Sequence, residues 1–165
     1  MSSVFNAEEI LEVAVQIERT GAAYYRLAAS FAENPAAKNM LEELAEMEDG
    51  HEMLFENFRA DPDVLSELIG DPDGETALYL RAFSESQVFP EKEEALALLK
   101  PDTSLDQILR QGITMELKSI AFYQGIKDAI PDHLGADKVT ELIAEERKHV
   151  TILSRRLAAL RAKKS

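Results

Sequence analysis

Apolar positions recur at three- and four-residue spacing over four long stretches of the chain, and each stretch is bounded by residues that start or stop helices. The first runs through Ile10, Val13, Ala14, Ile17, Gly21, Tyr24, Tyr25 and Ala28. Asn6 with Glu9 three residues on precedes it, a capping-box pattern in which each side chain satisfies the other residue's free backbone N–H. This predicts a helix over about 7–33. Asn34-Pro35 then supplies a cap and a first-turn proline for a second helix carrying Leu41, Leu44, Met47, His51 and Phe55 to about Ala60. So short a link makes the two helices antiparallel neighbours.

Breakers crowd the next forty or so residues: Asp61-Pro62, Gly70, Asp71-Pro72-Asp73-Gly74, Pro90 and Pro101. Short helices fit between them, one over Thr76–Phe83 and one over Glu93–Leu99. Their apolar content predicts a structured crossover that packs on the bundle, since a floppy linker has no need of it. Ser104 with Gln107 repeats the capping box. A third long helix follows through Leu105, Ile108, Leu109, Ile113, Ile120, Phe122, Tyr123 and Ile126 to about Ala129, where Pro131 and Gly135 stop it. A fourth, from about Asp137, carries Val139, Leu142, Ile143, Val150, Leu153 and Leu157 on one face. The expectation is an all-α, four-helix bundle in one domain over 1–165. Its two antiparallel hairpins, about 7–60 and 104–162, are joined by a long crossover over about 61–103.

Four of these apolar stripes are interrupted by a carboxylate. Leu11, Ala14, Ala22 and Tyr25 surround Glu18 at helical spacing, and Leu109, Gly112, Ile120 and Tyr123 surround Glu116. Glu48 falls among Leu41, Leu44, Ala45 and Phe55, and Glu146 among Val139, Leu142, Ile143, Val150 and Leu153. Two of the three histidines, His51 and His149, follow Glu48 and Glu146 by three residues and so share a helix face with them. One such pair is commonly an exposed ion pair. Here the two hairpins align at an offset of 98 residues, which matches Glu18 with Glu116, Tyr25 with Tyr123, Glu48 with Glu146 and His51 with His149. Such repetition implies two like hairpins about a pseudo-twofold axis.

A buried, unpaired carboxylate costs several kcal/mol or is neutralised by a shifted pKa, and no Lys or Arg lies on these stripes. Two divalent ions would balance four carboxylates, with two imidazoles completing the set. A Glu from each of two helices plus Glu-x-x-His from each of the other two is the pattern of di-iron and di-manganese bundles. The alternatives are a solvated rim of Glu and His, or a structural zinc site. Tyr25 and Tyr123 lie two turns from a candidate ligand. They read either as core aromatics or as tentative catalytic groups whose hydroxyls hold ligand carboxylates of neighbouring helices. His133, beside Pro131 in a turn, has no Glu at helical spacing and reads as a surface residue.

Composition narrows the function. A formal net charge of -13 disfavours nucleic acid or an anionic membrane as partner. The basic residues from Arg155 to Lys164 suit the negative end of a helix dipole. With no Cys there is no disulfide, thiolate site or iron–sulfur cluster. The start, Met1 to Glu9, lacks a basic segment followed by an apolar run, so a cytoplasmic location is expected.

Through Glu18 with Tyr25, Glu48-x-x-His51, Glu116 with Tyr123 and Glu146-x-x-His149, the chain resembles the rubrerythrin-like branch of the ferritin-like superfamily over both hairpins. The resemblance implies a ferritin-like bundle and a non-haem di-iron centre, with Glu48 and Glu146 bridging and Glu18, Glu116, His51 and His149 terminal. It implies an oxidoreductase reacting with hydrogen peroxide or dioxygen, an external electron donor, and a homodimer or larger homo-oligomer. The alternative is iron binding for storage or homeostasis. Manganese or zinc suits the same ligand types. Two departures stand out. Rubrerythrins proper carry a further Glu three residues after the first on the third helix, which exchanges with a His as the irons change oxidation state and where this chain has Ser119, and the Cys-rich rubredoxin module is missing.

Overall fold

Asn6 and Ser104 open the two hairpins by the same device. Asn6 Oδ1 accepts from the Glu9 amide while the Glu9 carboxylate accepts from the Asn6 amide, and Ser104 and Gln107 exchange the equivalent bonds. The computed structural model describes residues 6–71 and 73–164; the residues Met1–Phe5 read above for a leader, and the breaker Pro72, lie outside the described residues. Four long helices form the bundle: α1 over Ala7–Phe31, α2 over Pro35–Arg59, α6 over Leu105–Ala129 and α7 over Ala136–Ala162. Between the hairpins come α3 over Pro62–Glu67, α4 over Glu75–Glu85 and α5 over Lys92–Ala97.

The helix ends follow the punctuation. α1 stops at Phe31, two residues short of the expected Glu33, because Ala32 and Asn34 must be extended to reach the proline-initiated start of α2. α6 ends at Ala129 because Ile130 precedes Pro131 and takes an extended conformation. A 3-10 turn over Asp132–Leu134 follows, and Gly135 at φ 114° turns the chain into α7. A side chain there would be strained and its Cβ would sit 3.0 Å from Phe58.

The apolar core is split into two clusters. One gathers Ile10, Leu11 and Ala14 of α1, Phe55 and Phe58 of α2, Phe122 and Ile126 of α6, and Val139 and Leu142 of α7. The other gathers Tyr24, Tyr25 and Ala28 of α1, Leu41 and Leu44 of α2, Ile108 and Leu109 of α6, and Leu153 and Leu157 of α7. On every long helix the two clusters flank one interval, 18–23, 46–54, 110–121 or 144–152.

The crossover is docked, as its apolar content predicts. α4 lies on α6, where Tyr79 donates to the Ala121 carbonyl at 2.8 Å. α5 lies on α1. Phe83 and Phe89 pack edge-on against Phe122. The matching residue of the first hairpin is Tyr24, whose hydroxyl is held by the Ile108 carbonyl at 3.0 Å and by Gln111 at 2.9 Å. Among the described residues no helix is long and apolar enough to cross a membrane.

Candidate metal centre

The intervals between the two apolar clusters are where Glu18, Glu48, His51, Glu116, Glu146 and His149 fall, one or two on each long helix. None is more than 5% exposed, so they form no solvated rim. Packing above and below fixes their level along the bundle. The helical register of Glu and His then turns each pair inward from one helix.

Their donor atoms form two groups that share two members. Glu18, Glu48, His51 and Glu146 bring one ligand atom each within 4.8 Å of one another, and so do Glu48, Glu116, Glu146 and His149. His51 Nδ1 is 2.8 Å from Glu146 Oε1 and 3.5 Å from Glu18 Oε2. His149 Nδ1 is 3.0 Å from Glu48 Oε1, 3.1 Å from Glu146 Oε2 and 3.6 Å from Glu116 Oε1. The imidazole rings face each other at 5.5 Å between centroids. Glu48 and Glu146 are thus placed between two donor sets, and the other four residues each belong to one.

This arrangement fits cations. Among the described residues, eight buried side-chain polar atoms have no hydrogen-bond partner, and seven of them are Glu18 Oε2, Glu48 Oε1, both oxygens of Glu146, His51 Nδ1 and both ring nitrogens of His149. They approach one another closely without hydrogen-bond geometry, as donors converging on shared space do. Leaving such atoms unsatisfied costs about 1–3 kcal/mol apiece, so the cluster is unfavourable unless something binds it. Burial and the surrounding carboxylates hold Glu48 well above the usual carboxylate range, and burial pushes Glu116 up to about 8 against the pull of His149. Burial opposes the His51 cation, but Glu146 and Glu18 outweigh it and raise it to about 11. Glu116 and Glu146 likewise raise His149 to about 9. The metal-free cluster therefore holds extra protons in place of cations; divalent ions would displace them, and carboxylate with imidazole donors suits iron, manganese or zinc.

The two tyrosines cross over. Tyr25 of α1 donates to Glu116 of α6, and Tyr123 of α6 donates to Glu18 of α1. Both are also fully buried among the core aromatics. Burial and the adjoining carboxylates push both hydroxyls well above the usual phenol range, which keeps them protonated donors. Gly21 is needed for a close approach: a Cβ there would lie 2.7 Å from Glu48 Oε2.

Glu145 was not singled out by the sequence. It sits on α7, half-exposed, and accepts from or shares a proton with His51 Nε2 of α2 at 2.8 Å. No spacing within one helix signals such a contact, because its two residues come from different hairpins. Ser119 donates its hydroxyl back to the Met115 carbonyl at 2.9 Å. His133 lies on the surface, 3.5 Å from Glu67 of α3, away from the centre.

A structure described as a ferritin-like diiron-carboxylate protein, from Thermotoga maritima, superposes with a TM-score of 0.72, is 26% identical, and covers 93% of this chain and 95% of its own. No curated protein sequence is similar enough to match. The family model for rubrerythrin matches residues 9–156. That span takes in both hairpins, the crossover and all six inward-facing acids and imidazoles, and the chain belongs to the rubrerythrin family.

Proposed function

We propose that this protein holds two iron ions and consumes hydrogen peroxide or dioxygen with electrons from an external donor. The observation that carries the reading is the set of seven unpartnered donor atoms, divided into two groups that share Glu48 and Glu146. Glu18 and His51 would hold one ion, Glu116 and His149 the other, and Glu48 and Glu146 both. Bound there, two ferrous ions supply two electrons, one each, to a two-electron oxidant without releasing a radical.

The protein's own contribution is orientation and protection. Tyr25 and Tyr123 fix the Glu116 and Glu18 carboxylates, each from across the bundle, so the two outer acids are anchored to the opposite hairpin. The apolar clusters above and below exclude water along the bundle axis.

Rapid mixing of the anaerobic ferrous protein with peroxide is the test. The expected result is oxidation of two irons per chain by one equivalent of peroxide, with an optical spectrum of coupled ferric ions. Metal content near two per chain without any such oxidation would instead support iron binding without turnover.

A further inference from the structure

A cavity of about 560 Å³ lies between α1 and α6 beneath the turn that joins α4 to α5. Its floor includes Gly21, Tyr25, Glu48, Glu116 and Ser119. Its walls are mostly apolar surface, with Val13 and Ile17 from α1, Met115 from α6, Phe83 and Phe89 from the crossover and Ala95 from α5, while Arg110 and Lys118 are among the polar residues that line it. The space therefore runs from the surface to two members of the carboxylate cluster.

Its size and lining exceed what hydrogen peroxide or dioxygen would need. Either is comparable to a water or two, each with a share of about 30 Å³ in the liquid. Pockets for organic ligands span about 300–1,000 Å³ and are lined chiefly by apolar groups with a few polar ones at one end. Ser119 keeps the floor open, because its side chain is small and its hydroxyl turns back along its own helix to Met115. Glu48 and Glu116 reach the floor, where a neutral head group carrying a proton can donate to a carboxylate oxygen.

We propose that the substrate of this centre is an organic hydroperoxide with an apolar body, which lies in the cavity with its O–O group at the level of Glu48 and Glu116. This inference rests on the peroxide-consuming di-iron reading above. The reaction takes ROOH, two electrons and two protons to ROH and water. The O–O bond breaks, the alcohol keeps the oxygen attached to the apolar body, the other oxygen leaves as water, and the two electrons, which bound metals would supply, are restored by an external one-electron donor.

Two measurements on the full chain test this. The zinc-loaded protein is titrated with 2-phenyl-2-propanol, the alcohol product of cumene hydroperoxide, and binding is followed by NMR. The anaerobic iron(II)-loaded protein is mixed with cumene hydroperoxide and, separately, with hydrogen peroxide. The expected result is saturable alcohol binding and half-maximal oxidation at a concentration of cumene hydroperoxide about ten-fold or more below that of hydrogen peroxide, the discrimination an apolar pocket supplies. Val13→Trp should lower the ratio of the two rates by about ten-fold or more, and Thr114→Trp, at an exposed lining position, should do the same if the first variant fails to fold. Reaction with hydrogen peroxide alone overturns the proposal, whether or not the alcohol binds. If neither peroxide oxidises the irons, the peroxide reading and this inference fall together.

Discussion

His51 and Glu145 meet across the two hairpins, Nε2 to Oε2 at 2.8 Å, while Nε2 of His149 is buried with no partner. The offset of 98 that matches His51 with His149 matches Glu145 with Met47, so the pseudo-twofold axis places a thioether where the other half has a carboxylate. A carboxylate behind a metal-facing imidazole fixes its tautomer and raises its basicity, and losing it typically weakens metal binding by about 10–100-fold. Glu145→Ala should therefore weaken one of the two metal positions by about that factor and leave the other nearly unchanged. Met47→Glu should strengthen the second. Competitive titration against a chromophoric chelator resolves the two steps, and two equal steps in the unaltered protein would show that the contact has no influence.

Metal-free protein should lose stability as pH rises. Glu48 and Glu116, the latter at about 8, sit above the roughly 4.3 of an unfolded Glu, and His51 and His149, at about 11 and about 9, sit above the roughly 6.5 of an unfolded His. The folded chain thus binds more protons than the unfolded one. The stabilisation is fully present below the unfolded values and is lost as pH climbs through the folded ones. Glu146 is lowered, burial being outweighed chiefly by His149 and His51, and acts in the opposite sense only below the ordinary Glu range. Metal binding displaces these protons, so its apparent affinity should increase with pH. Calorimetry from about pH 5 to about pH 9 should show the metal-free Tm falling and the gap to the metal-loaded Tm widening. A metal-free Tm that climbs over this range contradicts the assignment.

Gly21→Ala should separate folding from metal binding. Alanine favours a helix interior over glycine by about 1 kcal/mol, and the atom a new Cβ would meet is the far end of the Glu48 side chain, 2.7 Å away. Without metal that carboxylate can swing aside, so Tm should hold or rise. With metal it cannot, so both equivalents of metal should bind about ten-fold or more weakly. Metal content and Tm, measured on the same preparation, check both halves, and two tightly held metals in the variant would mean that Glu48 does not bind them.

Ser119→Glu should convert the cavity floor. The new carboxylate stands one helical turn beyond Glu116 on the same face and within the cavity lining. It should cut reaction with cumene hydroperoxide by about ten-fold or more by occupying the space of the organic body. In the unaltered chain, which lacks that acid, His51 should remain bound in both oxidation states. Crystals of oxidised and reduced protein should then show metal displacements below about 1 Å, against a tolerance of a few tenths for metal–ligand distances. A larger movement would mean that another group takes the acid's role.

Much of this molecule is local in origin and was legible for that reason. Capping at Asn6, Asn34 and Ser104, the prolines that stop helices, the apolar stripes and the carboxylates that interrupt them are properties of single helices with a period of 3.6 residues. The 98-residue repeat added the pairing of hairpins, and with it the six residues that the fold collects. A period cannot report what faces what across a bundle. Which carboxylate each tyrosine holds, that Gly21 yields room to Glu48, that Glu145 stands behind His51 while His149 has nothing, and that the crossover roofs a cavity over one pair of helices were all decided by tertiary structure. These are contacts between residues up to 105 positions apart, set by how two hairpins of like plan but different sequence pack and by where the crossover's aromatics meet Phe122.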